Sequence, residues 1–147
     1  MVHSYLLACA TAGMHVRIGH PEEYAPDPVV VADARRIAAA TDGSVTLTGD
    51  PVEAVRGADV VVTDTWVSMG REDEKEARVA ALATYKVSEA LMAEAAPDAI
   101  FLHCLPADRG YEVAPEVIDG PRSVIWDEAE NRLHAQKALL AWLLERA

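Results

Sequence analysis

The sequence predicts an α/β fold: a three-layer domain built on a mostly parallel sheet of about five strands. Two observations carry that reading. Short, β-branched-rich apolar runs alternate regularly with segments of helical spacing, the order expected of strand–helix–strand units. The runs are also apolar almost throughout rather than every second residue, which marks strands covered on both faces. At 147 residues the chain is one domain's worth.

The elements follow in order. An apolar helix, "VHSYLLACATAG", runs straight into the first strand, "HVRIGH" (15–20). "DPVVVADARRIAAATDG" (27–43) is a helix announced by Asp27 as cap and Pro28 in the first turn, and closed at Gly43. "SVTLTG" (44–49) is the second strand. "DPVEAVRGA" (50–58) repeats the Asp-Pro start at Asp50-Pro51 and ends at Gly57. "DVVVTD" (59–64) is the third strand, the charged run "REDEKEAR" (71–78) is solvated helix or loop, and "KVSEALMAEA" (86–95) is a helix. "AIFLHC" (99–104) and "SVIWD" (123–127) complete the strands. The last segment, "EAENRLHAQKALLAWLLERA", is an amphipathic helix with Leu133, Leu140, Leu143 and Leu144 among its apolar positions and Trp142 nearby. One element is expected and missing: a domain of this type starts with a strand, and here the chain opens on a helix.

Composition excludes several classes. A formal charge of −11 argues against nucleic acid or anionic lipid as a partner. No run approaches the ~18–20 apolar residues of a membrane helix, and the N-terminus lacks the basic leading region of a signal peptide. Cys9 and Cys104 lie far apart, each in an apolar run, which points to reduced thiols in a cytoplasmic protein. Neither a Gly-rich dinucleotide fingerprint nor a P-loop is present, so no cofactor is expected.

In a parallel sheet the strand C-termini share one edge, where groups distant in sequence converge. Three stretches reach that edge: "TDTWVSMG" (63–70) with Asp64, Ser68 and Met69, "HCLP" (103–106), and "WDEAENR" (126–132) with Arg132. A carboxylate, a hydroxyl, a thiol, backbone groups beside a proline and a guanidinium suit a zwitterionic amine meeting an anionic electrophile. Plainer readings stand beside this one. Asp64 could cap the segment after it, and Cys104 could be an inert buried thiol. His103 next to Cys104 hints at a metal, but adjacent strand residues point to opposite faces and no further ligand pair has metal spacing, so none is expected.

Taken together, "D-x-x-x-S-M-G" at 64–70, "HCLP" at 103–106 and "WDEAENRLHAQKALL" at 126–140 resemble the ornithine carbamoyltransferase family, in collinear order along essentially the whole chain. The resemblance is to the second half of that family. It implies a Rossmann-like L-ornithine-binding domain over 1–128, without its first strand, and over 129–147 a helix that packs on a carbamoyl-phosphate domain absent here. It further implies transfer of the carbamoyl group from carbamoyl phosphate to L-ornithine, giving citrulline and phosphate in arginine metabolism, by a homo-oligomer, a trimer in the family. By position, Asp64 would hold the α-amino group, with Ser68 and Met69 lining the same site. Cys104 would sit beside the attacking δ-amino group, in the His103–Pro106 segment that borders the substrate. The Leu105 carbonyl would orient the carbamoyl NH₂ and Arg132 would face the carbamoyl oxygen, so Cys104 and Arg132 are the expected catalytic pair. The Ser-x-Arg-Thr-Arg phosphate clamp of the family does not occur here. Two alternatives stay open: a non-catalytic fragment or amino-acid-binding module, and a carbamoyltransferase for another amine such as putrescine or acetylornithine. With no carbamoyl-phosphate domain, the final helix would lack its partner, leading the chain to self-associate or to dock this helix on its own sheet.

Overall fold

Both Asp-Pro starts form as the sequence indicates. In the computed structural model, which describes residues 1–67, 70 and 72–146, the Asp27 carboxylate accepts the Val29 N–H at 2.8 Å and opens helix α2 (Pro28–Ala38). Asp50 does the same for Val52, also at 2.8 Å, and opens α3 (Pro51–Val55). Each cap satisfies a backbone donor that the first turn leaves free, and each proline occupies a position whose N–H has no helical partner. Before them lie α1 (Val2–Thr11) and β1 (His15–Gly19), with β2 (Ser44–Thr48) between α2 and α3. The chain continues through β3 (Val60–Thr63), α4 (Lys75–Leu82), α5 (Glu89–Ala93), β4 (Ile100–His103), α6 (Pro115–Ile118) and α7 (Ile125–Leu144).

All strand pairing among the described residues is parallel, as expected for this fold class. The single sheet of about five strands needs correcting. Four strands form two separate pairs, β1 with β2 from His15–Ser44 to Gly19–Thr48, and β3 with β4 from Val60–Ile100 to Thr63–His103. The expected fifth strand at 123–127 reduces to one parallel bridge between Phe101 and Ser123. The Phe101 N–H donates to the Arg122 carbonyl at 2.8 Å and the Val124 N–H to the Phe101 carbonyl at 3.0 Å. At Ile125 the backbone then turns helical, with the Glu128 N–H returning to the Val124 carbonyl at 3.0 Å. The β-branched run is used for two bonds and no more.

Each strand pair has its own core. Leu6 and Ala10 of α1 pack with Val31, Ala34 and Ala38 of α2 over β1 and β2. The alanines leave little side-chain bulk between the two helices, so they close on each other. Phe101, Val61, Leu91, Met92, Val113, Ile118 and Ile125 form the second core around β3 and β4. Helix α3 sits against β1 because residue 19 is glycine: a Cβ there would stand 3.1 Å from the Ala54 Cβ. The final helix is divided. Ile125 is 1% exposed, whereas Leu133, Leu140 and Leu144 are 65%, 62% and 78% exposed, so the helix does not fold back on its own sheet. No helix among the described residues is long and apolar enough to cross a membrane.

Candidate functional site

The parallel register sets Thr63 beside His103 at the last rung of the β3–β4 pair. The next residues on the two strands, Asp64 and Cys104, therefore leave the sheet side by side. The Cys104 Sγ donates to Asp64 Oδ1 at 3.2 Å, and the same oxygen accepts the Thr65 N–H at 2.8 Å. Asp64 thus bonds the backbone of the next residue, without capping a helix, and also borders the cavity.

These residues border a cavity of about 570 Å³ that also takes in Leu105 and Pro106 from the strand end and Glu128 and Arg132 from α7. Helix spacing puts Glu128 and Arg132, four residues apart, on one face of α7. Of the sequence-predicted residues the structure brings together Asp64, His103, Cys104, Leu105 and Arg132 around this cavity. Ser68 and Met69 lie outside the described residues. Among the described residues no group of three or more His, Cys, Asp or Glu is arranged to hold a metal ion.

The surroundings of Cys104 favour its protonated form. Burial pushes its thiol up, the hydrogen bond to Asp64 and the nearby carboxylate charges push further, and the result is about 11. At neutral pH the group is a thiol that donates a hydrogen bond, so it is neither a thiolate nucleophile nor a base. Tyr5 is shifted in the same direction, by burial first and then by Glu128.

His103 meets the cavity through its backbone. Its side chain, like that of Glu112, is almost completely buried, and its Nε2 lies 3.3 Å from Glu112 Oε1. Sequence reasoning missed Glu112 and Glu128, and both organise this corner. Glu128 Oε2 accepts the His103 N–H at 2.9 Å and its Oε1 faces the Tyr5 hydroxyl at 3.4 Å, so one carboxylate ties α7 to the end of β4. Glu128 stood in plain view inside "WDEAENR". Glu112, between Tyr111 and Val113, looked like an ordinary exposed acid.

Residues 1–143 match the family model described as aspartate/ornithine carbamoyltransferase, Asp/Orn binding domain. The ornithine carbamoyltransferase of Clavibacter sepedonicus is 71% identical over 147 residues, which is 100% of this chain and 48% of that protein. The solved ornithine carbamoyltransferase of Pyrococcus furiosus superimposes with a TM-score of 0.91 at 50% identity, covering 96% of this chain and 45% of its own. The anabolic ornithine carbamoyltransferase of Campylobacter jejuni gives 0.94 at 40% identity over 100% of this chain and 48% of its own. The chain therefore spans about half the length of the relatives it matches.

Proposed function

This chain belongs to the aspartate/ornithine carbamoyltransferase family, as its Asp/Orn binding domain, and on that premise we propose that it is the ornithine-binding half of an ornithine carbamoyltransferase. The reaction is carbamoyl transfer from carbamoyl phosphate to L-ornithine, giving citrulline and phosphate. The observation that carries the reading is the pairing of Asp64 with Cys104 in the lining of the cavity, which Arg132 also borders. Asp64 takes the α-ammonium, as a carboxylate bordering the cavity can. The δ-amino group then lies toward Cys104, with Ser68 and Met69 completing the site.

The chemistry needs a free amine. An alkylammonium with a pKa near ~10.4 costs roughly 4–5 kcal/mol to deprotonate at neutral pH. A neutral thiol at Cys104 adds no negative charge to hold the amine protonated, and the Arg132 cation disfavours the ammonium further. The nitrogen lone pair attacks the carbamoyl carbon, the C–N bond forms, the C–O bond to phosphate breaks, and the departing phosphate takes the proton that the nitrogen gives up. Arg132 supplies a donor to the oxyanion, an interaction often worth ~3–4 kcal/mol, while the Leu105 carbonyl receives the carbamoyl NH₂.

The phosphate itself needs cations that this acidic chain does not gather. We assign residues 1–128 to the ornithine-binding domain and 129–147 to the helix that docks on a carbamoyl-phosphate domain, within a cytoplasmic homo-oligomer. The half-length match supports one half of such an enzyme, and equally supports the second reading of an amino-acid-binding module without turnover. One experiment separates the two: citrulline formation by the chain alone and mixed with a separately produced carbamoyl-phosphate half. Turnover only in the mixture is the expected result. Calorimetry with L-ornithine tests the site itself, and binding that survives Asp64→Ala would refute the role given to Asp64.

A further inference from the structure

The turn after β4 places Leu105 at φ 54°, in the left-handed region that a residue with a Cβ enters only when its surroundings impose it. What imposes it is His103. The Leu105 N–H donates to the His103 Nδ1 at 2.9 Å, so Nδ1 is an acceptor and the ring carries its proton on Nε2. That Nε2 is buried, lies 3.3 Å from Glu112 Oε1, and has no well-aligned hydrogen-bond partner among the described residues.

Glu112 is as constrained as the ring it faces. It is 1% exposed, its Oε1 also accepts the Asp108 N–H, and its backbone carbonyl accepts the Val87 N–H at 2.9 Å. The Asp108 N–H and the His103 Nε2 thus meet the same oxygen. The other oxygen, Oε2, is buried with no hydrogen-bond partner among the described residues. A buried carboxylate left half satisfied is a poor way to stabilise a turn, since an apolar side chain would avoid its desolvation. Its use is to select the ring's tautomer. With the proton on Nδ1, two N–H groups would oppose each other at Leu105, and a nitrogen lone pair would face the carboxylate.

We propose that Glu112 is a positioning residue: through the His103 ring it holds Leu105 in its left-handed conformation and so aims the Leu105 carbonyl into the cavity. The inference rests on the role given to Leu105 under the proposed function. Nitrogen NMR of the His103 ring tests it on the chain as it stands. The parent should show Nδ1 as the unprotonated and Nε2 as the protonated nitrogen, and a protonated Nδ1 overturns the proposal without any variant. In Glu112→Ala the two signals should move together as the tautomers mix, while Glu112→Gln, which keeps an acceptor for Nε2–H, should leave them apart. Signals unchanged in a folded Glu112→Ala also overturn it. In the reconstituted assay, Glu112→Ala should lower kcat by roughly ten- to a hundredfold with KM for ornithine nearly unchanged, because the misaimed carbonyl serves the carbamoyl group. A parent without turnover or ornithine binding defeats the functional reading, and the ring spectrum still decides the role of Glu112.

Discussion

Helix α7 begins and ends in opposite environments. At its start Ile125 is buried in the β3–β4 core, and Glu128 reaches across to the backbone of His103 and the hydroxyl of Tyr5. At its end Leu133, Leu139, Leu140, Trp142, Leu143 and Leu144 are all about half exposed or more. One helix thus has a start tied by hydrogen bonds to β4 and α1, and a stripe whose apolar surface has no cover within the described residues. The contrast teaches that the chain supplies the inner shell of its site from its own residues, while the far end of α7 contributes little to the stability of this fold.

The sharpest way to break that comparison is to truncate one residue from each end. Ile125→Ala removes a side chain buried in the β3–β4 core, and should cost about 2–5 kcal/mol. Leu140→Ala removes one that is 62% exposed and should change stability by no more than about 0.5 kcal/mol. Urea denaturation of both variants measures the difference. Equal losses would mean that the far end of α7 is covered in solution. Leu140→Glu with Leu143→Glu completes the test: light scattering over a concentration series should show less self-association than the parent, with unfolding midpoints alike.

A second test uses pH. Cys104 is raised in the folded state to about 11 from 9.0, and Tyr5 is raised as well, both by burial first. The folded form therefore holds these protons more tightly than the unfolded chain does. Their contribution is fully present below the unfolded pKa of the thiol and is lost as pH climbs toward the folded value. Stability should fall from about pH 9 upward, and Cys104→Ser should flatten the first part of the fall. Cys9, raised in the same direction by burial, remains in both proteins, so the difference between them isolates Cys104. Absorbance titration of the thiol in Asp64→Asn should give a lower midpoint than the parent, though still above the ordinary range, because burial is the larger cause. A midpoint that does not move would sever the Asp64–Cys104 contact on which the site rests.

Much of this was legible in the sequence, and the exceptions have physical causes. Asp27-Pro28 and Asp50-Pro51 report on helix starts because a cap acts within three residues of itself. The convergence of Asp64, Cys104 and Arg132 followed from strand ends sharing an edge. The division into two strand pairs was not legible, because an apolar run specifies burial and leaves its hydrogen-bonding neighbour to tertiary packing. "SVIWD" failed for a related reason. Its Ile125 satisfies the core equally well from the first turn of a helix, and that is where the structure uses it. Glu112 left no trace, since a buried carboxylate is recognised by the partners around it, here the His103 ring and the Asp108 N–H.

A small expected effect is the most specific about the buried end of α7. Tyr5→Phe removes a hydroxyl whose distance to Glu128 Oε1, 3.4 Å, is long for an O–H···O bond. Glu128 keeps its stronger bond to the His103 N–H at 2.9 Å through its other oxygen, so the helix stays tied to β4. The cost at neutral pH should be under about 1 kcal/mol, at the low end for a neutral donor to a charged acceptor. The alkaline limb should change more than the neutral plateau. Phenylalanine has no proton to lose, so the part of the decline that begins near the ordinary phenol pKa of about 10 should shrink. Denaturation curves at pH 7 and pH 10.5 for parent and variant measure both. A large loss at pH 7 would show that Tyr5, rather than the His103 backbone, is what anchors Glu128, and that α1 bears on the site as directly as α7 does.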